Sequence, residues 1–559
     1  MLVAGIIVTW APPASAHAVL LRTEPAPQTT VKTAPDAVRL MFSEPVEVTF
    51  GAVRVFDVDG TRVDPGTIER ANGNRDVVVP VRLKNGTYTV TWRVTSADGH
   101  PVKGGFGFFV GTPSTISAVA VPLDAGAPAV VTIGYWLTRF LWLASVIAVV
   151  GMVAVRLWVW TPAVRASNLS GSVAADGFRR RFTRWLRLAW IVLVVAAGAT
   201  LVFQAATVSG LSLAESARPA VLRDLLDTAF GRLWLVQTGL ILAIGVPVFA
   251  LTAPRAVASI RPPVWVGVLG VLAAGLCAAT ALNGHARTLD RASIMVPSLA
   301  VHIAAAALWV GGLAALVVLG GLSWRTVPDA DRPALLRRLI LRFGRLAFWA
   351  ALVLAATGTL NTIGASGSLS DLWDTTYGRV VLAKVALLAV ALALAARHRW
   401  QSPKRLAQPS SAGRAVSRFQ RTSAVEVVVL TAAVGLAAVL VALVPGRSLA
   451  LAAKGPVNQE RRAGAYTVQL YIDPTTIGDN QVHVTYNNAQ GLAAAEVTNV
   501  TVTLGPADGG AAPEPVEMRL ISPGHFVGDT TLPAPGRYRL TADGGGASTT
   551  FDFRLHAKT

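Results

Sequence analysis

The chain is poor in charged residues and almost free of cysteine. Of its 559 residues only 14% are charged and one is a cysteine, whereas 53% are hydrophobic and the mean hydropathy is +0.51. Soluble domains rarely combine so little charge with so positive a hydropathy, which excludes a single soluble globule. One cysteine excludes a disulfide framework within the chain and any zinc or iron–sulfur site built from cysteines. The chain also lacks a Walker A motif, a D-K-T-G phosphorylation sequence and a C-P-C metal-binding span, which argues against ATP-driven pumping.

Acidic residues are also scarce, with 31 Asp and Glu against 50 Lys and Arg, which gives a net charge of +19. Hydropathy predicts eight membrane spans, at residues 131–155, 187–209, 232–252, 263–284, 295–320, 343–364, 378–397 and 424–445. Lys and Arg concentrate in the loops after spans 1, 3, 5 and 7, for example at 179–181, 337–338 and 404–405. The positive-inside rule places such loops in the cytoplasm and both termini outside. Membrane topology, rather than nucleic-acid binding, therefore explains the basic charge.

The first residues have the pattern of a signal peptide. Residues 2–9 are apolar, and Ala14-Ser15-Ala16 forms an A-x-A cleavage signal before His17. We expect residues 1–16 to be removed on export, which would free the α-amine of His17. The alternative is an N-terminus that stays uncleaved.

Short runs of alternating apolar and polar residues, separated by turn residues, occupy both ends of the chain. They predict an all-β sandwich at 17–112 and another at 456–559, with a linker at 113–130 and the membrane domain at 131–446. The expected fold is a multi-domain membrane protein with an N-terminal all-β sandwich, an eight-helix transmembrane bundle and a C-terminal all-β sandwich. A plasma-membrane, multi-pass protein with both terminal domains extracytoplasmic follows from this topology.

The first β domain contains a candidate Cu(II) site. A processed His17 offers a terminal amine and an imidazole, and Asp98-Gly99-His100 offers a carboxylate and a second imidazole. Three nitrogens and one oxygen suit tetragonal Cu(II), and residues 98 and 100 of a strand point to one face. The alternative is an exposed terminal histidine and an Asp-His pair in a turn.

Three stretches of this domain resemble the CopC copper-binding domain: HAVLLRTEPAP from His17, LMFSEPVE at 40–47 and SADGHPVKGGFGFFV at 96–110. The resemblance implies that His17, Asp98 and His100 are the Cu(II) ligands, with Glu44 as an acidic residue near the site. Many CopC relatives also have a methionine-rich Cu(I) site. Because this domain contains only Met41, we expect Cu(II) binding without a thioether Cu(I) site.

Polar side chains inside membrane spans are costly, so they indicate function. Met295, His302 and Trp309 are spaced by seven in span 5 and share a helix face, and His285 lies at the outer end of span 4. Imidazole and thioether groups both bind copper, which predicts a membrane copper site of His285, His302 and Met295. The alternative is that His302 only hydrogen-bonds a neighbouring helix and that His285 is solvated. Two polar side chains in spans 6 and 7 would support the site, namely Asn361 and Lys384.

The membrane region resembles the CopD copper-resistance domain in GHA (284–286), HIAAAALWVGGL (302–313), TGTLN (357–361) and YGRVVLAKVALL (377–388). The resemblance implies movement of copper across the membrane, generally into the cytosol, and His285 and His302 match histidine positions of the family. Residues 466–545 resemble the YtkA-like and FixH-like β modules, which implies an accessory role. There Met518 and His525 are either a second metal site or, the favoured interpretation, scattered surface residues.

These patterns predict a copper protein that captures Cu(II) outside the cell and passes copper, as Cu(I) or Cu(II), to the membrane domain for import and homeostasis. No catalytic residues are expected. The expected partners are copper ions and the lipid bilayer, with an extracytoplasmic copper chaperone or electron donor as a further candidate and no nucleic acid. Three alternatives remain open: a membrane copper reductase or haem redox protein, a copper monooxygenase built on a histidine brace, and a membrane-tethered copper buffer without transport.

Overall fold

A computed structural model describes most of the chain, in the following residues: 18, 20–27, 29–48, 53–58, 61–96, 101–111, 129–169, 172–209, 211–252, 262–284, 286, 291–320, 327–366, 368–406, 412–441, 443, 445–446, 457–473, 475–488 and 494–555. These residues form two compact units. One contains the long helices, and the other contains both β regions.

The N-terminal β region is a sandwich of two sheets, as the sequence predicts. Its strands are β1 (Leu20–Glu24), β2 (Thr30–Val31), β3 (Ala37–Phe42), β4 (Val46–Glu47), β5 (Arg54–Phe56), β6 (Glu69–Ala71), β7 (Asp76–Pro80), β8 (Gly86–Ser96) and β9 (Pro101–Val110). One sheet has the order β1-β3-β7-β6, and the other has the order β2-β9-β8-β4 with β5 also paired to β8. Alternate residues of β3, such as Val38, Leu40 and Phe42, are buried in the core because successive side chains of a strand point to opposite faces.

The C-terminal β region has nine strands in two sheets. They are β10 (Val457–Ala463), β11 (Tyr466–Asp473), β12 (Gly478–Asn487), β13 (Val500–Pro506), β14 (Glu514–Val516), β15 (Arg519–Ser522), β16 (His525–Leu532), β17 (Gly536–Gly544) and β18 (Ala547–Leu555). The sheet orders are β10-β11-β12-β16-β15 and β14-β13-β17-β18. The core lies between the two sheets and includes Val482, Val484 and Tyr486 of β12.

Within the described residues, eight helices are long and apolar enough to cross a membrane, which agrees with the predicted number of spans. They are α1 (Ala129–Ala166), α2 (Val173–Ser209), α3 (Ala229–Thr252), α4 (Pro262–Leu282), α5 (Ala292–Leu319), α6 (Arg332–Ala365), α7 (Thr376–Leu406) and α8 (Ala412–Leu440). Short helices Leu213–Ser216, Pro219–Leu226 and Asp371–Asp374 lie in the loops. Several helices begin before the predicted spans. Hydropathy misses their first turns because these turns contain arginine.

Helices α1 and α5 approach each other at glycine. A methyl group on Gly311 would collide with the carbonyl oxygen of Ile147, and one on Gly151 would collide with the backbone of Gly311. Gly311 closes a π-helical segment, Ala307–Gly311, in the middle of α5. Small residues allow such close approach of helix backbones in membranes, so glycine fixes this crossing.

We therefore expect Gly311→Ala to lower stability by about 1–3 kcal/mol, the usual cost of overpacking. Gly270→Ala in α4 is the matched control, since nothing lies within 4 Å of the added methyl group. The control substitution should leave the stability unchanged or raise it slightly, because alanine favours a helix more than glycine does. Thermal unfolding of both variants in detergent measures the difference, and equal unfolding temperatures would show that the crossing tolerates a side chain.

Candidate metal centres

The strands that flank the predicted Cu(II) ligands are paired with one another. Leu20 at the start of β1 pairs with Phe42 at the end of β3. Val46 in β4 pairs with Ser96 at the end of β8. Only three residues separate Phe42 from Val46 in the chain. The ends of β1, β3, β4 and β8 therefore meet at one end of the N-terminal sandwich.

Each predicted Cu(II) ligand is next to one of these ends in the sequence. Glu44 lies in the bend between β3 and β4 and is partly buried. His17, Asp98 and His100 lie outside the described residues, His17 just before β1 and the other two in the connection from β8 to β9. Ala18, directly after His17, is buried in the sandwich core.

In the membrane domain, His302 of α5 hydrogen-bonds Thr357 of α6, with 3.0 Å between Nδ1 and the hydroxyl oxygen. The Thr357 hydroxyl donates its own proton to the carbonyl of Val353, at 2.7 Å. This geometry favours the tautomer in which the hydroxyl oxygen accepts and Nδ1 carries the ring proton. A neutral imidazole has a single N–H, so Nε2 keeps a lone pair. Histidines that bind metals use the same arrangement, with a partner on the far nitrogen that fixes the ring.

Helix α6 packs small residues against the predicted copper side chains of α5. A methyl group on Gly358 would lie 3.2 Å from Cε1 of His302, and one on Gly364 would collide with the sulfur of Met295. Met295 is buried and His302 is partly buried. Glycine at both positions thus lets α6 lie directly against the two side chains.

Met295 and His302 are two successive positions along α5. They are seven residues apart, and a helix rises about 1.5 Å per residue, so about 10 Å separates their backbones along the axis. Their side chains lie against different glycines of α6, His302 at Gly358 and Met295 at Gly364.

Asn361 and Lys384 both lie near His302. Asn361 is four residues after Thr357, so it shares the α6 face that contacts His302. Lys384 of α7 is partly buried and close enough to the His302 ring to interact electrostatically. A cation beside the ring would disfavour a second positive charge there.

The sequence did not reveal a polar network at the end of α4, next to His285. Gln237 of α3 donates to the carbonyl of Ala279 at 3.0 Å, and Asn283 donates to the Gln237 side chain at 3.4 Å. Both amides are buried. His285 itself lies outside the described residues, but the network fixes the chain two residues before it.

The C-terminal sandwich contains a buried histidine pair. Nδ1 of His483 in β12 lies 3.2 Å from Nε2 of His525 in β16, and both rings are almost fully buried. The interpretation of His525 as a scattered surface residue is therefore wrong. Pairing of His525 with Met518 is also wrong, because Met518 packs on the core side of Gly528 whereas His525 faces the opposite side of the sheet.

Burial sets the protonation of this pair. It lowers the pKa of His483 to about 4 and the pKa of His525 to about 3, in each case because the charged ring would lose its hydration. The neighbouring Asp529 partly opposes the shift at His483, and the His483 ring adds to the shift at His525. Both imidazoles are neutral at neutral pH.

The fold defines a multi-pass membrane protein with β-sandwich regions, and its described side chains include candidate metal ligands. Residues 20–111 match the CopC domain, residues 130–293 match the copper resistance protein D-like N-terminal domain, and residues 337–440 match copper resistance protein D. The chain therefore combines, in one polypeptide, a region that matches CopC with two regions that match copper resistance protein D models.

Individual relatives cover different parts of the chain. Copper transport protein CutJ of Bacillus subtilis (strain 168) is 28% identical over 392 residues, which are 68% of this chain and 68% of CutJ. Protein YobA of Escherichia coli (strain K12) is 38% identical over 98 residues, 17% of this chain and 79% of YobA. The crystal structure of CopC from Methylosinus trichosporium OB3b is 32% identical and covers 17% of this chain and 95% of that chain, with a TM-score of 0.17.

The buried histidines make the C-terminal sandwich sensitive to acid. Their contribution to stability is complete above the unfolded pKa of about 6.5 and is lost as pH falls towards the folded values. In metal-free protein at pH 5.5 we expect a loss of about 3 kcal/mol relative to pH 7.5, roughly half from each histidine. This loss of stability is measured by hydrogen exchange of peptides from β12 and β16, corrected for the pH dependence of the intrinsic exchange rates. A His483→Asn, His525→Phe double variant should lose this dependence; an unchanged dependence would contradict the assignment.

Proposed function

We propose that this protein captures Cu(II) outside the cell with its N-terminal sandwich and passes copper into the membrane domain for transport. His17, Asp98 and His100 are the proposed Cu(II) ligands, with Glu44 beside them, in a domain of residues 17–112 that follows a cleaved leader. The pairing of the flanking strand ends supports this assignment. An extracytoplasmic copper chaperone or electron donor would act where the N-terminal sandwich captures Cu(II).

The observation that carries the membrane part is the His302–Thr357 hydrogen bond. It leaves the Nε2 lone pair of His302 free to bind copper inside a span, where an unused polar ring would be costly. Met295, two turns nearer the outer end of α5, supplies a thioether that suits Cu(I). Together with His285, at the outer end of span 4, these side chains form successive binding positions for entering copper.

A buried carboxylate extends this route towards the inner half of the membrane. Glu426 of α8 is 2% exposed and lies within interaction range of the indole of Trp309, which is two turns inward of His302 on α5. Carboxylates in membrane spans face the bundle interior and mark ion routes. Glu426 thus favours transport, because a tethered copper buffer needs no polar side chain in the inner half of the membrane.

The membrane potential supplies the proposed driving force. Both termini lie outside in the proposed topology, which agrees with an even number of spans and with the packing of both β regions into one compact unit. A cation that moves inward gains about 2.3 kcal/mol per charge for each 100 mV of potential. Import therefore requires no nucleotide hydrolysis.

The N-terminal site is tested by electron paramagnetic resonance of the protein loaded with one equivalent of Cu(II). We expect a tetragonal spectrum with nitrogen couplings, because an amine, two imidazoles and a carboxylate form a square set of ligands. His100→Ala should weaken Cu(II) binding by at least tenfold, and an uncleaved leader should also weaken it by removing the amine. Glu44→Gln should have a smaller effect. Unaltered binding by His100→Ala would contradict the ligand assignment.

The membrane route is tested by copper flux into proteoliposomes under an inside-negative potential. His302→Ala should abolish flux, and Thr357→Val should reduce it about 10–100-fold, the usual effect of removing a group that orients a metal-binding histidine. Thr357→Ser keeps the hydroxyl and is the matched control. Glu426→Gln should slow flux while the amount of bound copper stays the same.

Flux in His302→Ala equal to that of the parent protein would overturn the route. Copper binding at the membrane site without flux in the parent protein would instead favour the tethered buffer.

A further inference from the structure

The histidine pair of the C-terminal region lies on the outer face of its sheet. His483 alternates along β12 with Val482 and Val484, which point into the sandwich core, so His483 points away from it. The outer face is nevertheless covered, because His483 is 3% and His525 is 1% exposed. Phe109 of the N-terminal sandwich stacks on His525, with ring centroids 5.8 Å apart and an interplanar angle of 25°. The pair is thus enclosed between the two β domains.

The separation of the two nitrogens matches one edge of a tetrahedral metal site. Bonds of about 2.0 Å from a metal to nitrogen place two ligand atoms about 3.3 Å apart in a tetrahedron and about 2.8 Å apart in a square. Nδ1 of His483 and Nε2 of His525 are 3.2 Å apart. This spacing is closer to the edge of a tetrahedral site than to that of square Cu(II), and a small rotation of the rings, whose centroids lie 5.4 Å apart, would turn both lone pairs towards one ion.

Neighbouring side chains fix the tautomer of His483. The Gln481 amide nitrogen donates to Asp529 at 3.2 Å, so its amide oxygen is the group that faces Nε2 of His483, at 3.1 Å. Nε2 then carries the proton, and the lone pair is on Nδ1, which faces His525. A carbonyl oxygen on the far nitrogen is the usual outer partner of a metal-binding histidine.

The far nitrogen of His525, Nδ1, is buried and has no hydrogen-bond partner among the described residues. An unsatisfied buried polar group costs about 1–3 kcal/mol. A cation between the two rings would bind Nε2 of His525 and would not remove this cost.

Cations have a route to the pair. A crevice with a volume of about 500 Å³ reaches His483 and is lined by Asp473, Asp479 and Asp529 of the C-terminal region and by Ala26 and Thr29 of the N-terminal region. Asp529 pairs with Arg519 at 3.3 Å, whereas Asp473 and Asp479 leave negative charge in the crevice, which favours cations there. No set of three His, Cys, Asp or Glu side chains surrounds a single point in the described ranges, so the crevice must supply water as the remaining ligands.

We propose that His483 and His525 bind a single tetrahedral cation, Cu(I) or Zn(II), at the interface between the two β domains. The site is separate from the proposed Cu(II) site, because Phe109 lies eight residues along β9 from Pro101, about 25 Å at the rise of a strand. Its geometry disfavours Cu(II), so copper would be held there in the reduced state. The proposal is independent of transport through the membrane domain.

Metal binding by the full-length protein in detergent tests the site. A His100→Ala background removes the N-terminal site, and anaerobic Cu(I) buffered by a chromogenic chelator, Zn(II) and Cu(II) are titrated separately. We expect His525→Phe to lose one equivalent of Cu(I) or of Zn(II), while its ring preserves the stack on Phe109. Thr485→Val is the matched control, since Thr485 pairs with His525 on the same face and has no ring nitrogen. It should keep the full stoichiometry.

Two results would overturn the site. One is equal Cu(I) and Zn(II) stoichiometry in the parent and His525→Phe, with β12 and β16 equally protected from hydrogen exchange. The pair would then be a hydrogen bond only. The other is a tetragonal Cu(II) signal that is lost in His525→Phe, which would contradict the tetrahedral geometry. If His525→Phe does not fold, His483→Gln is measured in the same way.

Discussion

A neutral imidazole offers one lone pair, and the group bound to its other nitrogen decides where that lone pair points. In the membrane domain that group is the Thr357 hydroxyl, whose own proton is committed to the carbonyl of Val353. Little water competes for these bonds inside a bilayer, so a single side chain on the next helix favours one tautomer of His302. The proposed route for copper depends on this bond, because only Nε2 remains to bind the ion.

The scaffold around that bond is built from small residues. Glycines 358 and 364 let α6 lie against His302 and Met295, and Gly311 lets α5 cross α1 at backbone contact. The π-helical segment that ends at Gly311 shifts the register of α5 between His302 and the inner half of the span. Trp309 lies in this segment, beside Glu426. Close packing thus positions both His302 and Glu426.

Much of this architecture follows from the sequence alone. Hydropathy and the distribution of arginine predict eight spans, and alternation in stretches such as Ala37–Phe42 predicts strands, because burial imposes those periods directly. Hydropathy does not reveal π-helical segments, which change hydrogen bonding and leave composition unchanged. Threonine in a span usually bonds its own helix, so nothing in the TGTLN stretch distinguishes Thr357 as the partner of His302.

The histidine pair is a second feature that the sequence does not predict. His483 and His525 are 42 residues apart, and only the register of β12 with β16 brings them together. The less favoured interpretation of the sequence paired His525 with Met518, but Met518 lies on the core side of the sheet and His525 on the opposite face. The N-terminal ligands remain a prediction, although the paired strand ends beside them agree with it.

Nitrogen-15 NMR of the His302 ring tests the central claim most directly. Protein labelled at histidine is compared with a His302→Gln variant to assign the resonance among the eight histidines, and Cu(I) is then added, since its closed shell preserves the spectrum. We expect a protonated Nδ1 that keeps its proton and an unprotonated Nε2 whose resonance moves on copper addition. A proton on Nε2, or a ring that copper leaves unchanged, would contradict the role assigned to His302.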